Sequence, residues 1–140
     1  MPSVFTRIIA GELPARFVWK DELCVAFLSA NPLAPGHVLV VPRDEIDDWI
    51  DLPAPLLAHL MAASQAIGRA LKQEFRPRKV GVALVGLEVP HVHVHLVPLQ
   101  AIADLDFSRA EKDPAPAALD EACRRTRAAL LRQGATAVPA

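Results

Sequence analysis

The sequence predicts an α+β fold with a five-stranded, largely antiparallel sheet, a long helix and a C-terminal helix. Five short apolar segments are bounded by Gly, Pro or charged residues, as is typical of strands. The first two are separated only by the polar turn Lys20–Glu22, which predicts a hairpin. Two longer segments repeat apolar residues at helical spacing and stand apart from the strands. This segregation of helices and strands favours the α+β class.

The N-terminal third begins with a short helix and the hairpin. Ser3 is a candidate N-cap for a helix that ends at Ile9, and Gly11 follows it as a stop. The hairpin strands are predicted at Arg16–Trp19 and Cys24–Leu28.

The three remaining strands lie further along the chain. A loop with two prolines and a glycine precedes the strand His37–Val41, whose continuous apolar character predicts a central position in the sheet. A fourth strand is predicted at Val80–Val85. The fifth occupies the apolar stretch Val89–Leu99, which carries three histidines.

The helices are marked by spacing and by stop signals. An apolar stripe from Pro55 to Phe75 predicts a long helix, which Pro77 ends. Asp113 and Pro114 form an N-cap and first-turn pair for a second helix that reaches Gln133. The whole chain, 1–140, is predicted to be one domain, with a C-terminal helical extension at 101–134 and a flexible tail at 135–140.

Composition excludes several classes of function. The formal net charge of −1 creates no field that would attract nucleic acid or an anionic membrane. No apolar run has the length of a membrane span, and the N-terminus lacks the pattern of a signal peptide. Cys24 and Cys123 lack metal-ligand spacing and form no disulfide framework, which favours a reducing cytoplasm.

The segment His91–His95 alternates histidine with valine and is the most informative part of the chain. Successive side chains of a strand point to opposite faces, so the three imidazoles share one face and the valines the other. Three interpretations compete. One imidazole could attack phosphorus as a nucleophile, with His93 favoured because it has a histidine on each side. Alternatively, the histidines could bind zinc. They could also have a purely structural role, with their hydrogen bonds satisfied in a polar layer.

The motif and its surroundings resemble the histidine triad (HIT) family of nucleotide-binding hydrolases and transferases. The family motif, His-φ-His-φ-His-φ-φ with φ apolar, reads His91–Val97 here. Phe5–Ala15 is similar to the opening helix and turn of the family, and Ala34–Pro42 is similar to its second signature. The resemblance covers roughly residues 4–100, the core of the domain.

The resemblance implies a homodimer with sheets that run together, and substrates that carry a nucleoside 5′-phosphoryl group. These would be nucleoside phosphoramidates or dinucleoside polyphosphates, cleaved through a covalent nucleotidyl-histidine at His93. The resemblance places His95 beside the α-phosphate and leaving group, lets the carbonyl of His91 fix the ring of His93, and makes His37 a supporting residue. No cofactor is implied. The substrate-binding positions that it implies are Phe5, Ile8, Ile9, Phe27, Ser29, Gly86 and Glu88.

Some positions depart from the family pattern. Leu87 and Glu88 stand where relatives commonly carry glutamine and a hydroxyl residue, and Ser29 stands where Asp or Asn usually binds ribose. Some bacterial relatives bind zinc through Cys-x-x-Cys, and the equivalent positions here are Ser3 and Thr6, which are poor zinc ligands, so no metal is expected. Leu87, Glu88 and Ser29 leave one alternative function open, a nucleotide-binding module with little turnover. The three histidines themselves leave a second, a histidine-ligated metalloprotein.

Overall fold

A computed structural model describes all 140 residues of the chain. Its five strands form one sheet in the order β1-β2-β3-β5-β4, and every neighbouring pair is antiparallel. The strands are β1 Phe17–Lys20, β2 Cys24–Leu28, β3 Val38–Pro42, β4 Lys79–Ala83 and β5 Val94–Leu99. The helices are α1 Val4–Ile9, α2 Ala54–Phe75 and α3 Pro116–Arg132. The predicted fold class is therefore confirmed.

The sheet has two differently covered faces because its side chains alternate along each strand. One face packs against α2 and α3 and forms the main core, to which β2 contributes Cys24, Ala26 and Leu28. The other face carries a smaller apolar cluster with α1, to which β2 contributes Val25 and Phe27. The central strands β2 and β3 are buried at every position, as the continuous apolar character of β3 predicts.

The alternation continues through the histidine segment, with one difference from the prediction. Val92 and Val94 enter the main core, while His93 and His95 lie on the α1 side of the sheet. The strand itself begins only at Val94, so two of the three histidines precede it. The reason is a turn at Gly86, where φ is +72°, and a backbone bond from the Val92 N–H to a loop carbonyl at 2.8 Å instead of to the sheet.

The C-terminal tail, for which the sequence predicts flexibility, makes defined contacts with the rest of the chain. The N–H of Lys20 in β1 donates to the carbonyl of Ala137 at 2.7 Å, and the guanidinium of Arg127 donates to the carbonyl of Pro139. Ala135 and Val138 pack against the main core. These apolar contacts and backbone bonds hold the tail along the β1 edge of the sheet.

Among the helices of the structure, none combines the length and the apolar character that a membrane crossing requires.

Candidate active site

A cavity of about 530 Å³ lies on the α1 side of the sheet and is lined by most of the predicted site residues. Fourteen of its 22 lining residues are hydrophobic, so it suits a ligand with a large flat or apolar part. Eight of the predicted site residues line it: Phe5, Ile8, Phe27, Ser29, Gly86, Glu88, His93 and His95. The fold therefore brings together predicted site residues that are up to 90 positions apart along the chain.

The ring of His93 has one nitrogen bound and one free. Its Nδ1 lies 2.8 Å from the carbonyl oxygen of His91. A carbonyl only accepts hydrogen bonds, so Nδ1 carries the proton, and the lone pair of the neutral ring is on Nε2. No protein group bonds Nε2, and no buried side-chain nitrogen or oxygen lacks a partner, so Nε2 is open to the cavity. This is the protonation state that a histidine nucleophile requires.

His91 lies behind the cavity and uses both of its ring nitrogens. Its side chain is fully buried, at 0 % exposure. Nε2 donates a hydrogen bond to the carbonyl of Pro42 at 2.8 Å. In the neutral ring Nδ1 is therefore an acceptor, and it accepts a hydrogen bond from the Ser3 hydroxyl at 2.6 Å. The ring is anchored at two ends, and its residue presents the carbonyl that orients His93.

A second chain of hydrogen bonds sets the tautomer of His95. The backbone N–H of Leu33 donates to Nδ1 of His37 at 3.0 Å, so the proton of His37 is on Nε2. That Nε2 lies 2.9 Å from Nδ1 of His95 and donates to it. The proton of His95 therefore sits on its own Nε2, which has no protein partner and belongs to a ring that lines the cavity. The cavity thus holds a nucleophilic nitrogen on His93 and a hydrogen-bond donor on His95.

Burial keeps these imidazoles neutral. It lowers the pKa of His37 to about 3, helped by the nearby charges of His95 and His93. It lowers the pKa of His95 to about 4, with His93 as the next cause. Burial also lowers the pKa of His91 and of His93 below their ordinary value of 6.5. All four rings are neutral at pH 7, as the hydrogen-bond directions above require.

The depressed histidine pKa values predict a pH-dependent stability. As the pH falls below 6.5, the unfolded chain takes up protons that the folded chain refuses, so the free energy of unfolding decreases. The slope due to His37 alone approaches about 1.4 kcal/mol per pH unit once the pH lies well below 6.5. Urea denaturation between pH 7.5 and pH 5 measures the effect above the range in which carboxylates titrate. We expect a flat profile above pH 7 and a smaller slope in His37→Gln; equal stability at pH 7 and pH 5 would contradict the prediction.

Three predicted site residues lie outside the lining of the cavity. His37 and His91 stand behind it and act through the hydrogen bonds given above. Ile9 packs against the small apolar cluster under the cavity and does not line it, because α1 turns its Phe5 and Ile8 side chains toward the opening instead. A direct contact between Ile9 and a substrate therefore stays a prediction.

The C-terminal extension contributes lining residues that the sequence did not indicate. The ring of Phe107 lies edge-on to that of His95, with centroids 4.8 Å apart. Ala110 and Leu119 also line the cavity. Arg16 lines the cavity and pairs with Asp120 of α3 at 2.7 Å. In the sequence, only the aromatic Phe107 in an otherwise polar segment could have indicated that the extension lines the cavity, and that indication is weak.

A separate group of possible metal ligands lies at the hairpin turn. Asp21, Cys24 and His59 place one ligand atom each within 4.8 Å of one another. Asp21 Oδ2 accepts hydrogen bonds from the indole of Trp19 and from His59, both at 2.8 Å, and burial raises the pKa of the Cys24 thiol to about 12. The thiol is therefore protonated and the carboxylate already accepts hydrogen bonds, so these groups form a hydrogen-bonded turn that connects the hairpin to α2. The sequence assigned no role to His59, and this contact is structural.

Comparison with known proteins identifies the family. The model of the HIT domain matches residues 10–102, well over half of the chain. The chain belongs to the HIT family. Protein hit of Bacillus subtilis is 32% identical over 102 residues, which cover 68% of this chain and 69% of that protein. An uncharacterized HIT-like protein of Mycobacterium tuberculosis is 36% identical over 103 residues, 70% of this chain and 72% of that protein.

Solved HIT structures agree with the fold. A zinc-bound histidine triad family protein from Mycobacterium smegmatis superposes with a TM-score of 0.81 at 30% identity and covers 94% of each chain. A HIT family hydrolase from Legionella pneumophila gives a TM-score of 0.62 at 28% identity, over 69% of this chain and 91% of that one. The resemblance predicted from the histidine motif is thus confirmed for both family and fold.

Proposed function

We propose that this HIT protein is a nucleotidyl hydrolase or transferase that works through a covalent nucleotidyl-histidine. The observation that carries the proposal is the neutral Nε2 of His93, open to the cavity while Nδ1 is held by the carbonyl of His91. Its substrates would be nucleoside 5′-phosphoramidates or dinucleoside polyphosphates. Family membership and a solved relative described as a hydrolase support the general class of reaction.

The reaction proceeds in two balanced steps. The lone pair of His93 Nε2 attacks the α-phosphorus, and the bond from phosphorus to the leaving nitrogen or oxygen breaks with its electron pair. The leaving atom takes the Nε2 proton of His95 as negative charge develops there, so that it departs as a protonated amine or hydroxyl compound. Water, or another acceptor in a transferase, then attacks the same phosphorus. It breaks the N–P bond, gives up a proton that restores the Nε2–H of His95, releases the nucleoside monophosphate and returns His93 to its neutral form.

The remainder of the cavity suits a nucleoside. Phe5, Ile8 and Phe27 provide an apolar surface on which a base can stack, and two of these rings lie 5.6 Å apart. The buried Ser29 lines the same cavity and offers a hydroxyl to the ribose. The base would therefore lie toward α1, with the α-phosphate at His93 and His95.

Release of AMP from adenosine 5′-phosphoramidate tests the proposed function. We expect catalytic turnover, and we expect an alkaline quench during turnover to trap protein that has gained the mass of one adenylyl group. Alkali is needed because phosphorus–nitrogen bonds to histidine are labile in acid. Turnover without any adduct on the histidine segment would contradict the covalent route.

A second candidate is a nucleotide-binding module with little turnover. The specific observation is Glu88, which lines the cavity and lies near enough for its charge to act on His93. A carboxylate there repels the negative charge of an incoming phosphate. Calorimetric binding of AMP without release of product from phosphoramidates or dinucleoside polyphosphates would favour this function over the first.

We infer that the chain forms a homodimer through β4. The other edge of the sheet, β1, is covered by the C-terminal tail, whereas no strand pairs with the outer side of β4. Val82 in this strand is 47% exposed, and such an apolar open edge favours pairing with a second copy. The resemblance implies the same continuous sheet.

Sedimentation of a charged variant tests the dimer. We expect Val82→Glu to sediment as a monomer at concentrations where the unaltered protein is a dimer, because two like charges would face each other across the symmetric edge. Leu131→Glu is the matched control, since this exposed leucine lies on α3, away from β4. A monomeric unaltered protein would exclude the dimer.

A further inference from the structure

A compact hydrogen-bonded group surrounds the outer side of His91. It consists of Ser3, Thr6 and Glu45, which come from the start of α1 and from the loop after β3. Glu45 Oε1 accepts from the backbone N–H of Ser3 and from the hydroxyl of Thr6, both at 2.6 Å. The Ser3 hydroxyl reaches Nδ1 of His91, also at 2.6 Å.

The shortest contacts set the directions of the hydrogen bonds in this group, while the Thr6 hydroxyl also lies 3.4 Å from the Ser3 hydroxyl and 3.5 Å from Nδ1 of His91. Pro42 provides an acceptor to Nε2 of His91, so Nδ1 of that ring must accept. The Ser3 hydroxyl therefore donates to Nδ1, while its oxygen accepts from the N–H of Thr6 at 3.0 Å. The hydroxyl of Thr6 is in turn free to donate to the carboxylate of Glu45. The result is a hydrogen-bonded group that links the carboxylate of Glu45, through Thr6 and Ser3, to the ring of His91, and no buried side-chain nitrogen or oxygen lacks a partner.

The group does not fit a zinc ion, although one solved relative is described as zinc-bound. Ser3 and Thr6 occupy the positions where the resemblance places the Cys-x-x-Cys of zinc-binding relatives, and hydroxyls are poor zinc ligands. Nitrogen and oxygen ligands about 2.0–2.2 Å from a tetrahedral zinc lie roughly 3.3–3.6 Å from one another. The atoms here are 2.6 Å apart, as hydrogen-bonded partners are, and leave no space for an ion between them.

We propose that Ser3, Thr6 and Glu45 form a metal-free clamp on His91 and are positioning residues for the nucleophile His93. The clamp holds the His91 ring from one side and Pro42 holds it from the other. Because residue 91 precedes β5 and lies outside the sheet ladder, the direction of its carbonyl depends on these anchors. That carbonyl in turn keeps the proton of His93 on Nδ1 and the lone pair on Nε2.

The clamp rests on the proposed function. Variants of Ser3 can distinguish its role in positioning His91 from its role in stabilising α1. The Ser3 hydroxyl also caps α1 by accepting from the N–H of Thr6, so Ser3→Ala weakens both the helix and the clamp. Glycine at an N-cap retains most of the helix stability that serine provides. Ser3→Gly thus removes the proton donor to His91 while largely preserving α1, and Ser3→Thr keeps the hydroxyl.

Kinetics on adenosine 5′-phosphoramidate, with untagged protein, give the first measurement. We expect kcat to fall by roughly 10- to 100-fold in both Ser3→Ala and Ser3→Gly, because an orienting partner is lost, while KM changes little. Ser3→Thr should recover most of the kcat. Ser64→Ala is the control, since this equally buried hydroxyl bonds only its own helix, at Leu60, and its loss should leave kcat unchanged. A Ser3→Gly variant with the kcat of the unaltered protein would overturn the clamp.

Ring-nitrogen NMR gives a measurement that does not depend on turnover. In ¹⁵N-labelled protein we expect His91 as the Nε2–H form and His93 as the Nδ1–H form, with the signals of both rings changed in Ser3→Gly and unchanged in Ser64→Ala. If the protein turns over no nucleotide but these signals behave as stated, the proposed function fails and the clamp stands. Unchanged His93 signals in Ser3→Gly would refute the clamp itself.

Metal analysis completes the test. After dialysis against a chelator, we expect unchanged kcat and no gain in kcat when zinc is added back. One zinc per chain that resists dialysis and disappears in Ser3→Gly would overturn the metal-free clamp.

Discussion

Replacing His93 by alanine is expected to lower kcat for adenosine 5′-phosphoramidate by about 10⁴-fold or more, the scale on which enzymes lose activity without their nucleophile. The reason is that His93 supplies the open ring nitrogen that, under the proposed function, forms the bond to phosphorus. AMP release and adduct formation should disappear together, because both need that bond. AMP binding should survive, since the apolar walls of the cavity remain.

The controls separate this loss from general damage. His59→Ala removes a histidine that contacts the hairpin turn far from the cavity lining, and we expect it to keep full turnover. His93→Gly leaves space in which added imidazole could act as the nucleophile, so imidazole should restore part of the rate. Full turnover by His93→Ala would show that another group attacks phosphorus.

Replacing His95 by asparagine is expected to lower kcat by roughly 10²- to 10³-fold, the usual cost of losing one donor aimed at developing charge. The donor is the Nε2–H, whose position follows from the chain that begins at the Leu33 N–H and passes through His37. The loss should depend on the leaving group. A poor leaving group such as an amine needs the donor, whereas nitrophenolate spreads its own charge.

Two substrates measure that dependence. Adenosine 5′-phosphoramidate and the p-nitrophenyl ester of AMP share a nucleotide and differ at the leaving group. We expect the full loss in His95→Asn with the first and a much smaller loss with the second. Equal losses on both substrates would mean that His95 acts on the phosphoryl oxygens or on folding, and would contradict its role at the leaving atom.

The sheet and the side of it that carries the histidines were predictable because they follow from local patterns. Alternation of histidine with valine assigns the two faces of β5 whatever the rest of the chain does, and the valines do enter the main core. The start of β5 was not predictable, because it depends on a hydrogen bond between the Val92 N–H and a loop nearly fifty residues earlier. Likewise, alternation could not reveal that His91 faces a serine and His95 faces His37.

Long-range contacts explain the other differences. Glu45 lies in a polar loop whose composition fits any solvated turn, and only the fold brings it to Ser3 and Thr6. Ile9 and Ile8 are adjacent and equally apolar, so the sequence could not decide which one faces the cavity. The tail has the short, small-residue character of a free terminus, yet its Ala137 carbonyl accepts a hydrogen bond from the Lys20 N–H of β1.

The edge-on contact between Phe107 and His95 places part of the cavity wall outside the matched HIT domain, which ends at residue 102. The histidines of the cavity and this aromatic wall are therefore encoded in different stretches of the chain. Under the proposed function, a change in the extension would alter which leaving groups fit beside His95 and would leave the nucleophile His93 as it is. Selectivity could then diverge between relatives without loss of reactivity.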